Sequence, residues 1–145
     1  MSFSPSVNTV VTDTSVIIKW LNQDNEKYLG QADKILMDVQ KGEVLLIAPE
    51  LAKYEVGNVL LIGKKLSFEQ AGVVLKQFYN LPISFIEESG ITAAETFKLA
   101  ADLGVTYYDA SFMTIAKQYN ATLVTENIKH QGKLKEIKLL PIQDY

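Results

Sequence analysis

The chain has no cysteine, no arginine and a single histidine, His130, and each shortage narrows what it can be. Without cysteine, disulfides, zinc–thiolate sites and thiol catalysis are excluded, and a reducing cytoplasm suits such a chain. All 14 bases are lysines, so any grip on phosphate uses point charges and not the bidentate guanidinium fork. With 17 acids against those bases the net charge is −3, which argues against a protein that is basic all over but leaves room for a local patch. No apolar run approaches the roughly 20 residues of a membrane span. Met1 to Val7 has neither the charged region nor the apolar core of an export signal. The expectation is a soluble, cytoplasmic protein with one domain over 1–145, long enough to bury roughly 68–70% of the surface its unfolded chain exposes.

What is present is an alternation of short apolar runs and amphipathic stretches. Asn8 to Thr12 is a β-branched run that ends in Asp13-Thr14-Ser15, after which an apolar helical pattern, Ser15 to Leu21, starts at once. Glu26 to Gln40 carries Leu29, Ala32, Ile35, Leu36 and Val39 on one stripe, with Gly42 beyond its end. Val44 to Ala48 is continuously apolar, as expected of a strand covered on both faces. Pro49 is expected in the first turn of the next helix, which runs to Ile62. Ser67, with Glu69 and Gln70, resembles a capping box. Ile83–Ile86 is a third strand. Thr92 is expected to cap a helix stopped by Gly104, and Asp109 leads into a helix from Ala110 to Tyr119. Thr122–Thr125 is a fourth strand, and Leu139–Ile142 a fifth. Strands alternating with helices imply an α/β fold, a mostly parallel sheet of about five strands in a three-layer α/β/α sandwich.

In such a sheet ligands bind at the carboxyl ends of the strands. Asp13 stands at that edge, and the helix following Asp109 returns the chain to the fourth strand, bringing Asp109 near Thr125-Glu126-Asn127. Glu55 and Asn58 share a helix face at i and i+3 and interrupt an apolar run. Each residue has an ordinary reading too: Asp13 and Asp109 as N-caps, Glu55 as an exposed helix former, Thr125 to Asn127 as a turn. Taken together, three carboxylates at one edge repel one another unless they take up protons or bind a cation. Hard oxygen ligands, with neither cysteine nor a histidine pair, point to Mg²⁺ or Mn²⁺.

Four blocks, Val10-Val11-Thr12-Asp13-Thr14-Ser15, Tyr54-Glu55-Val56-Gly57-Asn58-Val59-Leu60, Tyr108-Asp109-Ala110-Ser111-Phe112 and Thr122-Leu123-Val124-Thr125-Glu126-Asn127, resemble in order and spacing the signature blocks of the PIN domain. The resemblance is to its small single-domain form, the VapC-type toxins. It implies a Mg²⁺- or Mn²⁺-dependent ribonuclease, the toxin of a toxin–antitoxin pair, often a homodimer and blocked by a cognate antitoxin protein. By position Asp13, Glu55 and Asp109 match the family's three core acids, expected to be catalytic and to hold the metal. The fourth position, usually aspartate, is Asn127, whose amide oxygen can still ligate a metal but carries one charge less, weakening a second metal site. Ser15 and Thr125 match family hydroxyls near the site; Asn58 and Glu126 are supporting candidates.

Lys129, Lys133, Lys135 and Lys138 form a lysine-rich stretch suited to RNA phosphates, although a solvated loop and helix face is the favoured reading of it. His130 reads as exposed. Trp20 and Leu21 fit core packing better than partner binding. Two other readings compete with the nuclease. One is a PIN-fold module that binds RNA or protein after losing catalysis through Asn127. The other is a receiver domain or aspartate-nucleophile phosphatase, disfavoured because Asp13 has no second acid at +2 and no lysine ends a late strand.

Overall fold

The structure, a computed structural model, describes residues 7–126, 128 and 136–145. Five strands and six α-helices are found among them. The strands are β1 (Asn8–Thr12), β2 (Val44–Pro49), β3 (Ser84–Ile86), β4 (Thr122–Thr125) and β5 (Lys138–Pro141). The helices are α1 (Thr14–Ile17), α2 (Leu29–Gln40), α3 (Ala52–Asn58), α4 (Phe68–Tyr79), α5 (Gly90–Leu103) and α6 (Tyr107–Gln118). The sheet has the order β3-β2-β1-β4-β5 and every pairing is parallel. The chain winds outward from β1 through β2 to β3, then crosses back to lay β4 on the other side of β1. The winding therefore reverses between β1 and β4, and a crevice opens there at the strands' carboxyl ends.

The apolar runs are continuous because both faces of the sheet are covered. On one face Val11, Ile47 and Leu123 pack with Ala52 and Val56 of α3, Phe78 of α4 and Phe112, Met113, Ile115 and Ala116 of α6. On the other, Val10, Leu46 and Val124 pack with Val16, Ile35 of α2 and Ile142. Successive residues of each central strand thus feed opposite layers. Burying one such aliphatic side chain contributes roughly 1.5–3 kcal/mol, and it is this two-sided core that holds β1 and β4 side by side. Trp20 packs against both layers and donates its indole N–H to Ala32 O at 2.8 Å, so its role is internal.

Several element boundaries differ from the sequence expectation. Pro49 closes β2 opposite Ile86 instead of opening a helix; at a strand's last residue its missing N–H costs the ladder little, and Glu50 N–H resumes with Ile86 O at 3.1 Å. The second helix begins at Leu29, not Glu26, because Tyr28 turns into the left-handed region at φ 60°. The helix containing Glu55 turns π-helical over Val59–Gly63. Ser89, not Thr92, caps α5: its hydroxyl accepts from Thr92 N–H at 3.1 Å while Thr92 Oγ1 accepts from Ser89 N–H at 2.8 Å. Gly104 ends that helix at φ +66°, a conformation open to glycine at little cost. The Ser67–Gln70 capping box is formed as expected. The last strand starts at Lys138, one residue early, and Ile142 opens a 3₁₀ turn.

Candidate active site

Asp13 follows the last residue of β1 and is buried, 6% exposed. Its backbone carbonyl accepts from Val16 and Ile17, which starts α1, but its side chain makes no capping bond. Instead Ser15 Oγ donates to Oδ1 at 2.5 Å, and the fully buried Thr125, at the end of β4, donates to Oδ2. The Asp13 backbone N–H also donates to Val124 O at 3.4 Å. The carboxylate is thereby fixed across the switch point by one hydroxyl from each side of it.

Glu55 comes from the first turn of α3, half-buried, and accepts from Thr14 Oγ1 at 2.7 Å. Asp109 is the third residue of α6, where an acid is favoured by the helix dipole. It is not the cap: Thr106 is, its hydroxyl accepting from Asp109 N–H at 3.0 Å. The side chain of Asp109 is left for the crevice, and its charge acts on both other acids. Burial pushes the Asp13 carboxyl above its ordinary range against the opposing bonds from Ser15 and Thr125, with the Asp109 charge adding to the rise. Glu55 is likewise raised, by burial first and then by Asp109 and Asp13, against the bond from Thr14. Three acids from three elements therefore share one electrostatic site.

Ser15 has a second role, since its hydroxyl accepts from Glu126 N–H at 3.2 Å and so ties the turn after β4 to α1. The carboxylate of Glu126 turns to Lys19 at 2.9 Å. Asn58 is exposed on α3 with no hydrogen bond of its side chain among those described. Asn127, His130, Lys129, Lys133 and Lys135 lie outside the described residues; Lys138 is exposed at the head of β5. Two residues were missed from sequence: Thr14, which positions Glu55, and Lys19. A lone cation within Val16-Ile17-Ile18-Lys19-Trp20-Leu21 was the available signal for the second.

No group of three His, Cys, Asp or Glu side chains among the described residues stands close enough to clasp a metal directly. The donor set nevertheless fits Mg²⁺ or Mn²⁺. All donors are hard oxygens, the charge of Asp109 adds to the raised pKa of both Asp13 and Glu55 as in an unneutralised cation site, and Mg²⁺ keeps several waters and needs only one or two carboxylates.

A buried aspartate at the switch point of a doubly wound parallel sheet, with two further acids from the helices beside it, defines a class of carboxylate-lined crevice. Within that class the chain belongs to the PIN domain family, whose model matches residues 10–135. No curated protein matches the sequence. Among solved structures, PAE2754 from Pyrobaculum aerophilum is similar with a TM-score of 0.65 at 20% identity, covering 95% of this chain and 93% of its own. VapBC2 from Rickettsia felis, bound to a DNA fragment from its promoter, gives 0.68 at 19%, covering 92% and 98%. The Mycobacterium tuberculosis toxin VapC20, which cleaves the sarcin–ricin loop, gives 0.61 at 9%, covering 81% and 87%. At these identities the likeness is one of fold. No helix among the described residues is long and apolar enough to cross a membrane.

Proposed function

We propose that the protein is a metal-dependent endoribonuclease of the VapC type, a single PIN-like domain that hydrolyses RNA phosphodiester bonds at the crevice between β1 and β4. The observation that carries this reading is the meeting of Asp13, Glu55 and Asp109, two of which have carboxyl pKa values raised partly by the charge of the third. In this reading these three acids, with Asn127, hold Mg²⁺ or Mn²⁺. Bound there, such an ion lowers the pKa of water and neutralises charge growing on the phosphate.

The chain's own residues do the positioning. Ser15 and Thr125 spend their protons on the two oxygens of Asp13, which fixes that carboxylate in direction and opposes the rise that burial gives its pKa. Thr14 does the same for one oxygen of Glu55. Because Thr125 sits on β4 and Ser15 on α1, cleavage competence depends on both sides of the switch point. Lys129, Lys133 and Lys135 are assigned to phosphate contact, and the cut is expected to leave a 5′-phosphate. An antitoxin protein partner and a homodimer are part of the same reading, in keeping with the VapBC neighbours.

The test is cleavage of labelled single-stranded RNA with Mn²⁺, with Mg²⁺ and with EDTA, wild type beside Asp13→Asn. Metal-dependent cutting lost in the variant supports the nuclease. Cutting that persists in EDTA, or in Asp13→Asn, removes the reading.

A further inference from the structure

A cavity of about 220 Å³ opens next to the carboxylate crevice, between the carboxyl ends of β2 and β3 and the helices α5 and α6. Tyr54 and Tyr108 stand at its edge, 81% and 59% exposed. Each is the immediate neighbour of a site acid, Glu55 and Asp109, one peptide or about 3.8 Å along the backbone. Two large aromatic rings left in solvent beside an anionic crevice are unusual in a core-forming role, and such rings provide stacking faces for unpaired bases. The cavity is smaller than the roughly 300–1,000 Å³ of drug-sized ligand sites, so a single planar ring system is its natural occupant.

Its serine and threonine lining has one sign of hydrogen-bonding character. Every serine and threonine hydroxyl proton described in it, and that of Tyr107, is already committed: Thr96 Oγ1 to Thr114 Oγ1 at 3.0 Å, Thr114 to Ala110 O at 3.0 Å, Ser111 to Tyr108 O at 2.6 Å, Thr92 to Ser89 O at 3.0 Å, and Tyr107 to Glu88 Oε1, which leaves only the phenols of the two edge rings, Tyr54 and Tyr108, with a proton to give. What the committed side chains still offer is lone pairs. Two carboxylates join them. Glu50 shares Oε2 with Lys53 at 2.7 Å, whereas Glu88 is met only by the neutral Tyr107 phenol, so its charge is not neutralised and Oε2 lies outside that contact. A ligand edge rich in acceptors is repelled here, and one rich in adjacent donors is favoured.

From this we infer that the cavity is a base-reading subsite for the RNA substrate, and that it takes guanine, stacked on Tyr54 and Tyr108 with its Watson–Crick edge toward Glu88. Guanine presents N1–H and the N2 amino group side by side to the two oxygens of one carboxylate. Adenine and cytosine place an acceptor beside their single amino group, and uracil flanks its N–H with two carbonyls. The acidic lining also keeps the phosphates outside the cavity, toward the crevice. The inference rests on the nuclease reading, because it takes the ligand to be RNA.

It is tested apart from that reading by titrating the metal-free full chain with guanosine 5′-monophosphate and with uridine 5′-monophosphate, followed by amide NMR. The expected result is a response at Tyr54, Glu88, Thr96 and Tyr108, with guanosine at least about fivefold tighter than uridine, since one bidentate pair gives discrimination of that order or more. Glu88→Gln and Tyr108→Ala, both changes at exposed residues, should each abolish the preference or the response while leaving the remaining amide spectrum in place. Equal affinities, a response elsewhere or none at all overturns the subsite; so does a response of these amides to protein concentration alone, which marks a second copy as the occupant. Metal-dependent RNA cleavage without guanine preference, unchanged by Glu88→Gln, overturns the subsite and leaves the nuclease standing. Guanosine bound at these residues by a chain that never cleaves RNA does the reverse.

Discussion

Lys19 Nζ lies 2.9 Å from Glu126 Oε2 and 3.0 Å from Glu26 Oε1, with its side chain wholly buried. Burial alone would push this ammonium's pKa down, but Glu126 and Glu26 together hold it above its ordinary value. Glu26 is paired again by Lys64 at 2.8 Å, so two cations and two anions link the 3₁₀ turn after α1, the turn before α2, the end of the π-helical segment after α3 and the turn after β4.

Replacing Lys19 removes the one member that touches both acids. Breaking a buried pair from one side costs roughly 3–5 kcal/mol; Lys64 still serves Glu26 and Glu126 is partly exposed, so Lys19→Met is expected at about 3 kcal/mol. Urea denaturation measures it. A loss below about 1 kcal/mol would mean the network is not a structural clamp.

Asp13→Asn is expected to reduce RNA cleavage by more than about 100-fold, because loss of even an outer-shell partner costs 10–100-fold in metal sites. The same change should stabilise the metal-free protein at neutral pH. The folded-state pKa of Asp13 is raised, so its favourable contribution is complete below the unfolded carboxyl pKa and is lost as pH rises through the folded value. Melting of the metal-free wild type should therefore fall relative to Asp13→Asn from about pH 4 upward. Glu55 shifts in the same direction and remains in both proteins. A variant less stable than wild type throughout pH 5–8 contradicts this.

Mn²⁺ at about 100 times its dissociation constant should stabilise the wild type by about 2.7 kcal/mol if it binds only the folded state. Chelator should reverse the gain, and Asp13→Asn should show little of it. Equal shifts in both proteins would place the ion elsewhere.

Thr125→Val keeps the volume of a fully buried residue but takes a donor from Asp13 Oδ2. Metal affinity by calorimetry is expected to fall about 10–100-fold, with the carboxyl pKa of Asp13 rising further. Unchanged affinity would make this hydroxyl a packing feature.

Tyr145 donates to Asp38 Oδ2 at 2.7 Å and docks the residues after β5 onto α2. That bond, then Lys34, holds the Asp38 carboxyl below its ordinary range. Tyr145→Phe should cost about 1 kcal/mol at neutral pH. A lowered folded pKa contributes stability above the unfolded value and loses it as pH falls through the folded one, so the difference between the two proteins should close below about pH 4. A difference independent of pH would assign the cost to packing.

The central strands were legible in the sequence because their signals are local. β1 and β4 have the expected bounds, Asn8–Thr12 and Thr122–Thr125, since β-branched runs that end in polar residues declare both limits. Asp13, Glu55 and Asp109 were legible as a set because parallel topology dictates which ends meet. Pro49 misled because proline suits both a helix's first turn and a strand's last residue, and only the pairing with Ile86 decides between them. Thr92 was mistaken for the cap of α5 because Ser89 and Thr92 hold each other in a box, and both hydroxyl residues carry the signal. The burial of Lys19 was not legible, as its partners come from separate parts of the chain and no local pattern joins them. Thr14 was hidden beside Asp13, where one hydroxyl looks like another until Glu55 is placed.

Thr125 and Asp13 are 112 residues apart in sequence, and β4, which lies beside β1 in the sheet, comes after β2 and β3 in the chain. At about 5–20 residues per second of synthesis, roughly 6–22 s pass between the emergence of the two. A nascent chain thus carries its central aspartate for most of its time on the ribosome without the threonine that anchors it. The proposed site is therefore incomplete until Thr125 has emerged.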